Sequence, residues 1–195
     1  MRSVLVTRPQ PAADEFAASL RQEGFGVYLS PLMEYVALEA AIPDLASYQA
    51  LVFTSAQAVT FFAERTPERS LPVFTVGDAT AKATDKSGFT KIWSAQGDSR
   101  DVIRLIRLKK EETGLKKILH ICGEDTVQNL AGPLAEDDIA VDNLLVYKAR
   151  LVEQLSPEAS LALQGGQITT VTLFSARAAA NFVRLMQKCH SYESC

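Results

Sequence analysis

The chain has few of the residues from which metal and redox sites are built. Its 195 residues include 3 cysteines and 2 histidines. Cys122, Cys189 and Cys195 are odd in number and widely spaced, and they form no C-x-x-C pair or cysteine-histidine ligand pattern. Zinc sites and redox pairs need closer spacings than these. We therefore expect structural or free thiols and no metal site.

A strong charge bias, a long apolar run and glycine-rich nucleotide loops are also lacking. The net charge of −3, with both signs interspersed, gives no basic footprint for a nucleic acid. The first apolar segment ends at Thr7-Arg8-Pro9 and is too short for a signal segment or a membrane span. No G-x-G-x-x-G follows Val6, and no G-x-x-x-x-G-K-[ST] occurs, which disfavours flavin or nucleotide binding. We expect a cytoplasmic protein with no nucleic-acid or membrane partner.

The most informative segment that is present, residues 50–65, changes hydrophobic period at its middle. Residues 51–53 form the apolar run of a strand buried on both faces, and Val59 and Phe62 then recur at helical spacing. The polar pair Thr54-Ser55 lies between them, so Ser55 is a candidate helix N-cap. The amide groups that remain free at such a helix start attract anions.

Two internal repeats organise the rest of the chain. Residues 171–182 repeat the strand, turn and helix pattern, with Ser175 in the place of Ser55. Residues 4–29 and 118–147 share a strand, helix and strand pattern. Because strands alternate with helices throughout, we predict parallel sheets with helices on both faces, and the duplication favours two domains.

Three further residues lie at a predicted strand-to-helix turn or within a predicted strand. Gly77 begins a small-residue turn that lets the backbone approach a ligand closely, and Thr80 lies in the first turn of the following helix. His120 lies within a predicted strand, and we interpret it as a hydrogen-bonded core histidine rather than as a base.

Six short motifs, in this order and spacing, resemble those of the uroporphyrinogen-III synthase family over nearly the whole chain. They are Val-Leu-Val-Thr-Arg-Pro (4–9), Leu-Val-Phe-Thr-Ser (51–55), Val-Gly-Asp-Ala-Thr-Ala (76–81), Ile-Cys-Gly-Glu (121–124), Leu-Leu-Val-Tyr (144–147) and Thr-Leu-Phe-Ser-Ala-Arg (172–177). No single motif is diagnostic, but the set is specific.

The resemblance implies a particular α/β fold. It implies two flavodoxin-like domains with parallel sheets flanked by helices, joined by a two-stranded connection. The first domain is then discontinuous, formed by residues 1–36 and 168–195, and truncated at its C-terminus relative to the family. Residues 50–150 form the second domain, and residues 37–49 and 151–167 are the inter-domain connections. We interpret Ser156-Pro157 as part of a hinge.

The resemblance also implies an activity and its residues. The family closes hydroxymethylbilane, a linear tetrapyrrole with eight carboxylates, into uroporphyrinogen III, with loss of water, inversion of ring D and no cofactor. Tyr147 matches the tyrosine thought to assist loss of the hydroxyl, since a phenol is protonated at neutral pH and can donate. The residues expected to bind the substrate are Thr7, Arg8, Thr54, Ser55, Gly77, Thr80, Gly123, Ser175 and Arg177. We expect a monomer that receives its substrate from hydroxymethylbilane synthase.

Simpler interpretations remain open for each of these residues and for the whole chain. Ser55, Thr80 and Ser175 could be helix caps without ligand contact, and Tyr147 could be a cleft-wall residue. The alternative function is a two-domain binder or sensor of a small anion that performs no catalysis, because the fold alone would serve either role.

Overall fold

The computed structural model describes residues 2–126 and 128–192. The elements alternate between strands and helices. The strands are β1 (Ser3–Val6), β2 (Gly26–Leu29), β3 (Met33–Ala37), β4 (Ala50–Phe53), β5 (Val73–Thr75), β6 (Ile92–Ser94), β7 (Lys117–Gly123), β8 (Ala140–Leu151) and β9 (Thr170–Thr172). The helices are α1 (Ala12–Gln22), α2 (Ala56–Ala63), α3 (Asp78–Lys86), α4 (Ser99–Thr113), α5 (Ala131–Ala135), α6 (Pro157–Gln164) and α7 (Ala176–Tyr192). Short 3₁₀ turns occupy Leu45–Ser47 and Glu124–Thr126.

The chain divides into two compact units, Met1–Val36 with Ala149–Cys195, and Ala37–Lys148. The first unit contains a three-stranded sheet in the order β2-β1-β9, with β1 parallel to both neighbours. Val4, Val6 and Ala13 are buried at the centre of a cluster between this sheet and α1. A second cluster is formed by Leu32, Leu155, Ala178 and Leu185, which brings α7 into the same unit.

The larger sheet has the strand order β3-β8-β7-β4-β5-β6. The pairings β8-β7, β7-β4, β4-β5 and β5-β6 are all parallel. The four residues of β4 are fully buried, as expected for a strand covered on both faces. After β4, the strands β5 and β6 follow on one side of it, whereas β7 pairs with the other side of β4 and β8 follows beyond β7. The strand order therefore reverses between β4 and β7, and such a switch point is where open α/β sheets bind ligands.

At the edge of this sheet, β3 and β8 run antiparallel. The Leu38 amide donates to the Val146 carbonyl, and the Val152 amide donates to the Leu32 carbonyl, both at distances of 3.0 to 3.2 Å. Because residue 38 pairs with residue 146 and residue 32 with residue 152, the two strands run in opposite directions. Arg150 and Glu34 add an exposed ion pair of 2.6 Å in the same register.

Side chains cap the starts of α4 and α6. Asp98 is the N-cap of α4 and accepts hydrogen bonds from the amides of Arg100 and Asp101 in a capping box. Ser156-Pro157 forms the start of α6: Ser156 accepts from the Ala159 amide, and proline suits the first helical position. Its part in a hinge stays a prediction. The predicted domain boundaries stay a prediction.

None of the helices in the described part of the chain is both long enough and apolar enough to cross a membrane.

Candidate active site

The carboxyl edge of the larger sheet carries four of the sequence-predicted residues beside the switch point. Thr54 and Ser55 follow β4, Gly123 ends β7, and Tyr147 lies on β8 opposite Gly123 in the strand register. A register shift between Cys122 and Gly123 aligns Gly123 with Tyr147. Adjacent parallel strands end at the same edge, so these four residues converge although they come from three strands.

The Tyr147 side chain is held by contacts with Ser55, Phe61 and Gly123. It is 4% exposed, and its phenolic oxygen lies 3.1 Å from Ser55 Oγ. Its ring stacks on Phe61 of α2, with ring centroids 5.6 Å apart and an interplanar angle of 18°. The backbone of Gly123 lies against the same ring, since a Cβ added there would be 2.4 Å from Tyr147 Cζ and 2.6 and 2.9 Å from its two Cε atoms. The phenol is therefore held in one orientation.

Ser55 forms the predicted N-cap of α2. Its backbone is extended, and its hydroxyl oxygen accepts from the Ala58 amide at 3.2 Å. The same hydroxyl is the hydrogen-bond partner of Tyr147. The capping role predicted from sequence is confirmed, and one oxygen both begins the helix and contacts the candidate catalytic phenol.

Beside this edge, Thr54, His120 and Asn143 form a hydrogen-bonded row in which His120 is buried, Thr54 is half-buried and Asn143 is exposed. His120 Nδ1 lies 2.9 Å from Asn143 Oδ1, and its Nε2 lies 3.1 Å from Thr54 Oγ1. An amide oxygen only accepts, so Nδ1 carries the proton and Thr54 donates to Nε2. Burial lowers the pKa of His120, while the Asn143 hydrogen bond opposes that shift. The prediction of a satisfied core histidine is confirmed.

Gly77 and Thr80 lie at the start of α3, at the same edge of the sheet. Gly77 is the N-cap residue, and a Cβ there would meet nothing within 4 Å. Thr80 is 5% exposed, and its carbonyl accepts from the Thr84 hydroxyl at 2.8 Å. Within the described residues, the Thr80 hydroxyl itself makes no hydrogen bond.

The remaining predicted residues lie in the first unit. Thr7, Arg8 and Ser175 line a pocket of about 210 Å³ at the carboxyl ends of β1 and β9. The Arg8 guanidinium lies over the Phe174 ring at 4.7 Å. The rest of the pocket wall is formed by Pro9, Met33, Tyr35, Phe174 and Ala178.

Three hydroxyl or guanidinium groups of this unit already have intramolecular partners. Thr7 donates to the Thr172 carbonyl and ties β1 to β9. Ser175 caps α7 by accepting from the Ala178 amide at 3.1 Å. Arg177 is not among the residues that line the pocket, and it donates to the Ala149 carbonyl at 3.2 Å. Of the predicted residues that line the pocket, Arg8 is the one that carries a charge.

Sequence reasoning missed several residues that build the two sites. Phe61, Asn143 and Thr126 were not predicted, although Thr126 Oγ1 accepts from the Gly123 amide at 3.2 Å. Met33 and Tyr35 were also missed as pocket residues. Their contacts join distant parts of the chain, and the only signal in the sequence was that Phe61 follows Ser55 within the same helix.

Acidic, histidine and cysteine side chains do not gather into a possible metal site within residues 2–126 and 128–188. Cys122 is buried beside His120, and burial raises the pKa of its thiol to about 11. A thiol with so high a pKa is a poor nucleophile at neutral pH.

Together, the fold and the edge residues define an α/β protein with hydroxyl groups and one oriented phenol at a sheet switch point, an arrangement suited to proton transfer and anion binding. The family model described as Uroporphyrinogen-III synthase HemD matches residues 14–194. The chain therefore belongs to the uroporphyrinogen-III synthase family, the lyases that act in tetrapyrrole biosynthesis. The family and enzyme class predicted from the sequence are confirmed.

Individual relatives are distant in sequence. The chain is 23% identical over 199 residues to the uroporphyrinogen-III synthase of Synechococcus elongatus, which covers 95% of this chain and 75% of that protein. A relative from Methanocaldococcus jannaschii is 28% identical over 162 residues, covering 80% of this chain and 65% of its own. The crystal structure of uroporphyrinogen-III synthetase from Helicobacter pylori has a TM-score of 0.59 at 20% identity, covering 95% of this chain and 78% of that one. This structural likeness confirms a mixed α/β fold with parallel sheets.

Proposed function

We propose that the chain cyclises hydroxymethylbilane to uroporphyrinogen III and that Tyr147 is its proton donor. The observation that carries this proposal is the fixed phenol at the switch point, 4% exposed and 3.1 Å from Ser55 Oγ. The reaction needs an acid at the departing hydroxyl and a scaffold that brings the two ends of a flexible chain together.

In the proposed mechanism, the lone pair of the ring A pyrrole nitrogen expels the hydroxyl of the hydroxymethyl group. The carbon–oxygen bond breaks, and the Tyr147 proton leaves with the hydroxyl as water. The resulting azafulvene carbon is attacked by the substituted position of ring D, which forms a spiro intermediate. That intermediate reopens and recloses with ring D inverted. The proton released as the last pyrrole regains aromaticity returns to the phenolate, so the enzyme ends unchanged.

The role proposed for Ser55 is to stabilise the phenolate between these two proton transfers. Its hydroxyl already lies within hydrogen-bond distance of the phenolic oxygen, and either atom can donate in the resting state. A hydrogen bond to the charged form favours that form. Ser55 is held for this task by its bond to the Ala58 amide.

The other predicted residues are proposed to bind the eight substrate carboxylates. The start of α3 offers free amide groups, the uncommitted Thr80 hydroxyl and a Gly77 backbone that nothing crowds. Thr54 and Gly123 contribute the neighbouring backbone at the same edge.

In the first unit, Arg8 supplies positive charge beside the start of α7 at Ser175. Thr7 and Arg177 are proposed as further donors, after exchange of their present carbonyl partners. Arg8 is the strongest of these assignments because a guanidinium can bind a carboxylate in a bidentate manner.

The finer architecture is part of the same proposal. The parallel order β8-β7-β4-β5-β6 supports a flavodoxin-like sheet in which the chain begins at the third strand. We propose two such domains, the first discontinuous, joined by the antiparallel β3 and β8 segments. We also propose that the protein is a cytoplasmic monomer that receives hydroxymethylbilane from its synthase.

The test is the isomer composition of the product. Hydroxymethylbilane is generated in place by its synthase, this protein is added, and the porphyrinogens are oxidised and separated by chromatography. Spontaneous closure gives the I isomer. We expect the III isomer to form instead, in an amount that rises with the amount of protein added. Tight binding of hydroxymethylbilane with only the I isomer formed would favour the anion binder instead.

A further inference from the structure

We propose that Phe61 is a positioning residue for the reaction, because it orients the Tyr147 phenol toward Ser55. This inference rests on the proton-donor role proposed for Tyr147. In this role Phe61 acts through the tyrosine ring and not by chemistry of its own.

The position of Phe61 follows from the packing of α2. Phe62, the next residue, is fully buried and packs against Phe53 of β4 with ring centroids 5.6 Å apart. Successive helical residues diverge by about 100° around the helix axis, so Phe61 lies on the flank of α2 rather than beneath it. There it is half-buried and stacks on Tyr147.

The Tyr147 ring is constrained by contacts at two places. Phe61 stacks on it at an interplanar angle of 18°. Near the hydroxyl end, the ring face lies on Gly123, since an added Cβ would be nearly equidistant from Cζ and both Cε atoms, at 2.4 to 2.9 Å. Glycine gives the ring space but no side chain to hold it. Phe61 therefore supplies the aromatic contact that fixes the ring plane.

The ring plane decides where the phenolic proton can go. The oxygen now lies 3.1 Å from Ser55 Oγ, within the ordinary range for two hydroxyl groups to share a proton. Without the stacked ring of Phe61, the tyrosine can rotate about its side-chain bonds into the space left behind. A misplacement of about 1 Å at a reacting group can cost on the order of 100-fold in rate.

The test compares Phe61→Leu, which keeps apolar volume, with Phe61→Tyr, which keeps a flat ring. Phe25→Leu is the matched control, because Phe25 is also half-buried but precedes β2 at the amino end of the other sheet. We expect kcat to fall about tenfold or more in Phe61→Leu, with KM unchanged. Phe61→Tyr and Phe25→Leu should retain the rate of the unaltered protein. A second readout is the ring-proton chemical shift of Tyr147 in protein labelled at its 5 tyrosines, assigned with Tyr147→Phe. This shift should change in Phe61→Leu alone.

The double variant Phe61→Leu with Tyr147→Phe separates the possible results. If Phe61 acts only through the phenol, the double variant is no slower than Tyr147→Phe. Two results would overturn the positioning role while leaving the proton-donor role intact. One is a kcat of the double variant that falls by the product of the two single losses, and the other is an unchanged kcat in Phe61→Leu. Full turnover by Tyr147→Phe alone would overturn the proton-donor proposal, and this one with it.

Discussion

Gly123→Ala is the most direct structural perturbation of the Tyr147 ring. The added methyl group would lie 2.4 Å from Cζ, where ordinary van der Waals contact begins at 3.4 Å. The ring has to move by about 1 Å to restore that contact, and the phenolic oxygen moves with it. Gly123 does not have a positive φ, so the substitution adds no backbone strain.

The magnitude follows from the geometry. A displacement of about 1 Å takes the Ser55 to Tyr147 oxygen pair from 3.1 Å to a distance at which a hydrogen bond is weak or lost. We expect kcat to fall roughly 100-fold with little change in KM. Overpacking of this kind costs about 1 to 3 kcal/mol of unfolding free energy, which leaves the protein folded at 25 °C.

The assay is steady-state formation of the III isomer, together with urea unfolding of each variant. Gly132→Ala is the control, because its added Cβ would be 3.1 Å from the flexible amide of Asn129 and it lies in α5, away from the phenol. A Gly123→Ala protein with unimpaired kcat would refute the reasoning, whatever its stability. So would equal losses of kcat in both variants.

Three further predictions test neighbouring groups. Ser55→Ala removes the N-cap of α2 and the hydrogen-bond partner of the phenol. Urea unfolding should show a loss of about 0.5 to 2 kcal/mol in the free energy of unfolding, and kcat should fall. A loss of stability with unchanged kcat would mean that Ser55 is only a cap. Thr80→Val keeps the side-chain volume and removes a hydroxyl that has no intramolecular hydrogen-bond partner. KM should therefore rise while the melting temperature stays within a few degrees. An unchanged KM would show that Thr80 does not bind the substrate. Acidification should destabilise the protein through His120, since its pKa is lowered from 6.5 in the folded state and the unfolded chain takes up the proton first. Stability is lost as pH falls below 6.5, and the loss is complete below the pKa of folded His120. The free energy of unfolding should therefore change less between pH 7.5 and pH 5.5 in His120→Gln than in the unaltered protein. An equal change in both proteins would contradict this.

The local parts of the fold could be predicted because short-range physics determines them. The apolar run of β4 and the hydroxyl of Ser55 lie within a few residues of each other, so a change of hydrophobic period was enough to locate the strand, the cap and the helix. His120 was recognisable as a core residue because it lies within an apolar strand.

The contacts that orient the candidate site could not be predicted in the same way. Tyr147 meets Gly123 through a strand register that contains a shift, and it meets Phe61 across 86 positions of the chain. Register and helix orientation depend on the packing of the whole sheet. Gly123 was expected to bind substrate, yet the structure gives it a steric reason to be glycine that no short motif contains.

The central claim is that the Tyr147 phenol donates the proton on which loss of water depends. The measurement is kcat and KM of Tyr147→Phe for hydroxymethylbilane, with the isomers separated. General acid catalysis of this kind contributes about 10² to 10⁴ in rate, so kcat should fall by that factor while KM and the melting temperature change little. Formation of the III isomer at the rate of the unaltered protein would contradict the claim.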